Sequence, residues 1–534
     1  MPGPVRLGFL ALICGGFLAA CGEETTEKDR MALTPNFDVV EATLGDIQTA
    51  IRKGATSCEA VVEAYLARIE AYDQETGLNA ITVINGKARD KARKLDAALR
   101  AGESLGPLWC APLLIKDNYD TADLPTTGGS VAMMDHRPPD DAFLVERLRA
   151  AGAIVLAKTN MAEWAFSPRR TESSSYGTTA NAYALDRVPA GSSGGSASGA
   201  AASFGVAAMG TDTGNSVRGP ASHLALFGLR ATIGLVSRDG IIPLAFDRDV
   251  PGPLTRSVAD GARLFSAIAG YDPSDPYTEP ARDKAEEDYT AYLEADGLED
   301  ARIGVLRALV DTEEADPRVT GLFEAALKDM AAAGATIVDP VRVENFDGFL
   351  EDQGFCPRFR YDMHRYLQSL GPEAPFSDVR RVLETGEHAA YVKDELEFFA
   401  EYPLATPPAD WEEPCPPYRE HPRRRAYLTA VTEAMDSAEV DVLVYPTWTN
   451  PPAHLDRPEA EYKGDNSQLV APATGMPAAT VPMGYVDGRL PAGLQILARR
   501  FDEPAIFRIA YAYEQATGHR RAPKRFPPLE ADGP

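Results

Sequence analysis

The chain has 534 residues, 44% of them hydrophobic and 25% charged, with a formal net charge of −26 at pH 7. That length and balance suit a folded protein with a large core rather than a disordered chain. So strong an acidic excess repels phosphate backbones, and nucleic acid is not an expected partner.

Residues 1–22 read as a separate message. Arg6 is followed by an uncharged run from Leu7 to Gly22, shorter than the ~20 apolar residues of a membrane span and consistent with an export signal that ends in small residues. Its close, Leu18-Ala19-Ala20-Cys21, resembles the lipobox of bacterial lipoproteins. The resemblance implies a signal peptide over 1–20, a lipid on Cys21 and membrane attachment through that lipid. Gly22 stands where Asp would mark inner-membrane retention, so the expectation is an exported, periplasmic, outer-membrane protein. The polar stretch EETTEKDR then opens a tether over 21–40, ahead of a folded domain over 41–528.

Helix and strand patterns alternate from there. Ser57 is a suitable N-cap for a helix that places Val61, Val62, Tyr65, Leu66 and Ile69 on one face. Strand 79–84, a charged helix over 85–102, strand 111–115 running into Lys116, helix 140–153 and strand 154–158 follow. Residues 204–212 read as a buried strand, and 257–270 as a helix. Next come strand 302–306, helix 318–335, strands 441–446, 477–484 and 493–498, and helix 503–518. The alternation predicts an α/β fold with helices on both sheet faces. Residues 345–437 depart from it. They are rich in aromatics, proline and charge, helical where periodic, and suit either a pocket wall or a surface insertion.

Of six cysteines, Cys14 and Cys21 belong to the leader. The spacings of Cys58, Cys110, Cys356 and Cys415 match no zinc or redox motif. Export permits disulfides, a Cys356–Cys415 bond among them, but buried free thiols are the expectation. The seven histidines show no spacing that suggests a triad or a metal site.

The chemistry concentrates in PAGSSGGSASG, residues 189–199. A flexible linker has this composition. So, formally, does a G-x-S-x-G elbow with Ser193 as nucleophile, but such an elbow follows a buried strand, and here AYALDRVPA precedes it. The S-x-x-K pattern is absent, since no lysine has serine three places before it. A second serine loop, GTDTGNSVRGP (210–220), follows a small-residue helix and an apolar strand. PLLIKDN (112–118) puts Lys116 at a strand end.

These three segments resemble the amidase signature family. So do 228–260 and 474–497, and the resemblance runs over about residues 40–520. It implies a single large α/β/α domain with a mixed central sheet, here carrying a mostly helical insertion. It also implies a Ser–cis-Ser–Lys triad. Ser192 and Ser216 have the family's separation of 24 positions. By that resemblance Ser216 is the nucleophile, Ser192 the bridge after a cis bond from Gly191, and Lys116 the base. The backbone N–H groups of Thr213, Gly214, Asn215 and Ser216 form the oxyanion hole. Gly191 and Ser193 are structural neighbours. Asp212 and Arg218, which flank Ser216, suit either substrate binding or, the expectation here, an ion pair holding the loop. Ala190 and Asn215 stand where the family commonly has glycine, and Asn215 adds a side chain beside the oxyanion site.

The residue types suit that assignment. A serine hydroxyl needs a base to become a nucleophile, and lysine serves only when burial pulls its pKa of about 10.4 toward neutrality. The implied function is hydrolysis of a small carboxylic or peptide amide through an acyl-enzyme, with no metal or organic cofactor called for. An esterase on the same triad, the glutaminase subunit of a tRNA-dependent amidotransferase, and a non-catalytic ligand-binding lipoprotein are the competing readings. The leader and the acidity argue against the amidotransferase, and the intact Lys116, Ser192 and Ser216 against the binder.

Overall fold

The computed structural model describes residues 37–529, so the leader, Cys21 and the tether up to residue 36 lie outside the described residues. Val39 is already packed in the core.

One eleven-stranded sheet organises the molecule. From one edge its strands run Ile81–Ile84, Ile154–Thr159, Pro112–Lys116, Ala207–Asp212, Val250–Thr255, Phe227–Arg230, Ala478–Val486, Leu490–Ala498, Val442–Pro446, Arg302–Val305 and Thr336–Val338. The pairing is mixed. Pro112–Lys116 lies parallel to both its neighbours, whereas the strands from Ala207–Asp212 to Val442–Pro446 pair antiparallel. The parallel register of Leu113 with Ala207 and Ile115 with Met209 brings the carboxyl ends of two central strands, Lys116 and Asp212, to the same edge. Open α/β sheets bind ligands at such an edge.

Local sequence accounts for the flanking helices. Ser57 Oγ accepts from Ala60 N at 3.1 Å to cap Cys58–Tyr72, whose Val61, Val62, Tyr65, Leu66 and Ile69 are buried as their spacing requires. The helix Gly194–Ala201 is buried on every side, and only small residues let it lie against the sheet. A methyl on Gly199 would come within 2.8 Å of Leu114 Cδ1.

The strand Val250–Thr255 escaped the sequence patterns. It carries Pro251 and Pro253, and prolines argue against a central strand. On one side it pairs along its whole length with Ala207–Asp212. On the other, Phe227–Arg230 reaches only Leu254 and Thr255, so the prolines lie where that side of the strand has no ladder to break.

Residues 345–437 hold five helices: Phe346–Glu351, Phe359–Ser369, Arg380–Thr385, Lys393–Ala400 and Pro422–Ser437. Met363, Leu367, Val382, Leu396 and Phe399 form a separate apolar cluster closed by Trp164 and Ile242 from the main body.

The thiol expectation is corrected. Cys58 is bonded to Cys110 and Cys356 to Cys415, with Cα–Cα separations of 5.6 and 5.9 Å, within the span a disulfide needs. The Cys356–Cys415 bond is the one the sequence allowed, whereas nothing in a separation of 52 residues marked the Cys58–Cys110 pair. The first ties a helix start to the loop feeding the Lys116 strand, and the second braces the insertion.

Candidate active site

Lys116 ends its strand fully buried. Its Nζ donates to Ser192 Oγ at 2.7 Å and to Thr211 Oγ1 at 2.8 Å, and Asn118 Nδ2 donates to the same Thr211 oxygen at 3.1 Å. Burial pulls the Lys116 pKa from 10.5 down to about 7, against the opposing pull of the Asp249 and Asp212 charges. Lys158 on the adjacent strand is equally buried, but its Nζ lies 3.3 Å from Asp117 and donates to Tyr119 O at 2.6 Å. Of these two lysines, Lys116 is the one that reaches a serine hydroxyl.

Ser192 follows a cis peptide bond from Gly191. Its carbonyl accepts from Ala162 N at 3.0 Å, and Gly191 N donates to Pro168 O at 2.9 Å. A Cβ on Gly191 would fall onto the carbonyl oxygens of Ser167 and Arg170, so this turn admits no side chain there. Ser193 Oγ donates to Thr211 O at 3.2 Å and accepts from Thr211 N at 3.3 Å. That hydroxyl fastens the loop to the strand.

Ser216 sits just before the short helix Arg218–His223. Its Oγ donates to Asn215 Oδ1 at 3.3 Å. Among the described residues no hydrogen bond joins the Ser192 and Ser216 hydroxyls, so the expected wire is closed from Lys116 to Ser192 and open from Ser192 to Ser216. The Asn215 side-chain carbonyl gives the Ser216 hydroxyl an acceptor that glycine at this position would lack. Asn215 Nδ2 donates in turn to Asp465 Oδ2 at 3.0 Å. The backbone N–H groups of Thr213, Gly214, Asn215 and Ser216 have no acceptor among the described residues, as an oxyanion site requires.

Asp212 and Arg218 are fully buried and paired at 3.0 Å, and Arg230 joins Asp212 at 3.1 Å. Burial favours the neutral acid, but the two guanidinium groups overcome it and hold the carboxyl near about 2. Val217 N also donates to Asp212 at 3.1 Å, and Arg218 Nη2 donates to Gly214 O at 2.6 Å. The pair therefore fixes the Ser216 loop from beneath.

A pocket of about 480 Å³ opens over this loop, lined by Thr213, Gly214, Asn215 and Ser216, with Phe166, Leu244, Arg248 and Gln468 beside them. The 345–437 segment adds Leu350, Glu351, Asp352, Gln353 and Phe355 to the wall. Its aromatics also seat Phe166, whose ring centre lies 4.7 Å from that of Phe359 and 5.3 Å from that of Phe399. Sequence reading passed over Thr211, Asn118, Asp249, Arg248, Asp465 and Gln468. Thr211 lies within the GTDTGNS motif and was legible there. Asn118 closes PLLIKDN and was legible there too, Arg248 and Asp249 lie within the family-like stretch 228–260 with nothing local to mark their roles, and Asp465 and Gln468 come from a segment whose approach to the site only the fold reveals.

The layered mixed sheet is the amidase signature fold. The family model described as Amidase matches residues 60–507, and the chain belongs to that family. The native peptide amidase from Stenotrophomonas maltophilia is 36% identical and superposes with a TM-score of 0.81, over 90% of this chain and 98% of that one. An amidase family protein from Bacillus anthracis str. Ames is 31% identical with a TM-score of 0.80, over 91% and 93% of the two chains. A glutamyl-tRNA(Gln) amidotransferase subunit from Thermosynechococcus vestitus is 35% identical over 501 residues, 89% of this chain and 98% of that protein.

Proposed function

We propose that the protein hydrolyses an amide through a seryl acyl-enzyme formed on Ser216. The observation that carries the reading is the buried contact of Lys116 Nζ with Ser192 Oγ at 2.7 Å, at the strand end beneath the pocket that holds Ser216. With its pKa near about 7, a large share of Lys116 is neutral at pH 7 and able to accept a proton.

The Ser216 hydroxyl turns from Asn215 to Ser192. As Ser216 Oγ bonds to the amide carbon, its proton passes to Ser192 Oγ, and the Ser192 proton passes to Lys116 Nζ. The N–H groups of residues 213–216 hold the oxyanion that forms. The same relay run in reverse protonates the departing nitrogen as the C–N bond breaks and leaves the acyl ester on Ser216. Water then adds to the ester by the forward sequence, and the acid is released. Ser216→Ala abolishes both turnover and labelling by a serine-directed fluorophosphonate. Full labelling of that variant would remove the assignment.

We also propose that the chain is exported and anchored by a lipid on Cys21. The Leu18-Ala19-Ala20-Cys21 motif supports this, as do two disulfides that need an oxidising compartment. Together they favour a free-standing amidase over the subunit of a tRNA-linked amidotransferase. Labelled palmitate carried into the membrane fraction by the wild type and not by Cys21→Ser is the expected result.

A further inference from the structure

Behind the Ser216 loop, a chain of net charge −26 gathers four arginines. Arg218 and Arg230 share Asp212. Arg424 holds Asp247 at 2.7 Å. Among the described residues Arg248 holds no carboxylate. Asp249, next to it in the chain, is turned away, accepting from Thr213 Oγ1 at 2.5 Å and from the backbone N–H groups of Leu244 and Ala245 at 2.8 and 3.1 Å.

Arg248 is only 7% exposed, yet it lines the pocket beside Ser216. Its Nη2 donates to Gln353 O at 3.2 Å, its Nε has no partner among the described residues, and its guanidinium lies 5.3 Å from the Phe355 ring centre. Burial and the neighbouring Arg424 and Arg230 charges pull its pKa down to about 9, against Asp247. A buried cation with no carboxylate in contact is costly to hold, and Asp247, already paired with Arg424, offsets that cost only in part. A ligand that brings the missing anion relieves that cost and gains charge-assisted hydrogen bonds.

We propose that Arg248 is an anion-recognising residue and that the amide substrate carries a carboxylate, which Arg248 receives when the scissile carbonyl lies over Ser216. This rests on the amidase reading above and adds the substrate class. Two carboxylates on the same pocket, Glu351 and Asp352, do not cancel the site. Both are exposed to water, which screens them, and Asp352 already accepts from Gly354 N at 2.9 Å and lies 3.7 Å from Arg423. Arg248 acts from a buried position, where its field is far less screened.

The test pairs amides that differ only in charge. Succinamate, glutaramate and adipamate are each compared with the neutral analogue in which an isopropyl group replaces the carboxylate. N-acetylglycine and its uncharged counterpart place the carboxylate on the amine side instead. The wild type favours at least one charged member by about 10-fold or more in kcat/KM, and Arg248→Gln removes about 10- to 100-fold from that member while moving its neutral partner much less. Arg248→Lys keeps part of the preference.

Calorimetry on Ser216→Ala separates the two proposals, because it needs no turnover. Binding of the preferred carboxylate that disappears in Ser216→Ala/Arg248→Gln upholds this inference even if the hydrolytic reading fails. Equal kcat/KM for charged and neutral members, or equal losses on both in a folded Arg248→Gln, overturns it while leaving the hydrolysis intact.

Discussion

The Asn215 side-chain carbonyl holds the Ser216 hydroxyl at 3.3 Å, and its amide nitrogen is held in turn by Asp465 at 3.0 Å. The Ser216 hydroxyl thus faces a neighbour in sequence rather than Ser192, and the proposed mechanism has it exchange one acceptor for the other before it attacks. One neutral hydrogen bond contributes about 1 kcal/mol, so Asn215→Gly speeds fluorophosphonate labelling of Ser216 by about 2- to 5-fold. A labelling rate unchanged or lowered in that variant, at unchanged thermal stability, would show that Asn215 does not restrain the hydroxyl.

Burial lowers the folded-state pKa of Lys116 from 10.5 to about 7. In the proposed mechanism Lys116 accepts a proton, so kcat/KM is expected to rise with pH through about 7 and to be lost below it. The same shift governs stability. Between about 7 and 10.5 the unfolded chain binds the proton more tightly, so folding stability falls as pH falls through that window and levels off beneath it. Lys116→Met removes this slope. The difference in unfolding free energy between wild type and variant therefore moves in favour of the wild type by up to about 5 kcal/mol as pH rises across the window. Parallel urea titrations at the two ends check it, and a constant difference would show that Lys116 keeps an ordinary pKa.

Asp212 carries two buried guanidinium groups. Asp212→Asn leaves both without a counter-charge and costs about 3–5 kcal/mol of stability at pH 7, read from the midpoint of denaturant unfolding. In the wild type the carboxyl is held down near about 2, so its contribution is present above the unfolded pKa and disappears as pH falls through about 2. A loss under about 1 kcal/mol in the variant would mean that the arginines are satisfied by carbonyls alone.

The Cys356–Cys415 bond lies one residue from Phe355 on the pocket wall. Replacing both cysteines by serine loosens that wall rather than the Ser216 loop, so KM rises by about 10-fold with a smaller change in kcat. Intact mass after alkylation without reductant shows none of Cys58, Cys110, Cys356 or Cys415 modified. A KM unchanged in the double variant would detach the bond from substrate binding.

The α/β alternation was legible because the buried strands are short apolar runs between amphipathic helices. Lys116 was legible because APLLI runs straight into it, and the two serine loops because glycine, serine and alanine crowd where a buried helix touches the sheet. Val250–Thr255 was hidden by prolines that are harmless only because a neighbouring strand stops short. Arg248 and Asp465 carry no local signal. Each takes its meaning from a loop far away in the chain, as do the two cysteine pairs.

The division of labour between sheet and insertion has a practical consequence. Strand ends supply Lys116 and the Ser216 loop, whereas Leu350, Gln353 and Phe355 belong to a braced helical module with its own apolar cluster. Transplanting that module between relatives should alter only the share of substrate choice that this wall controls, while Arg248, Phe166 and the Ser216 loop stay where they are.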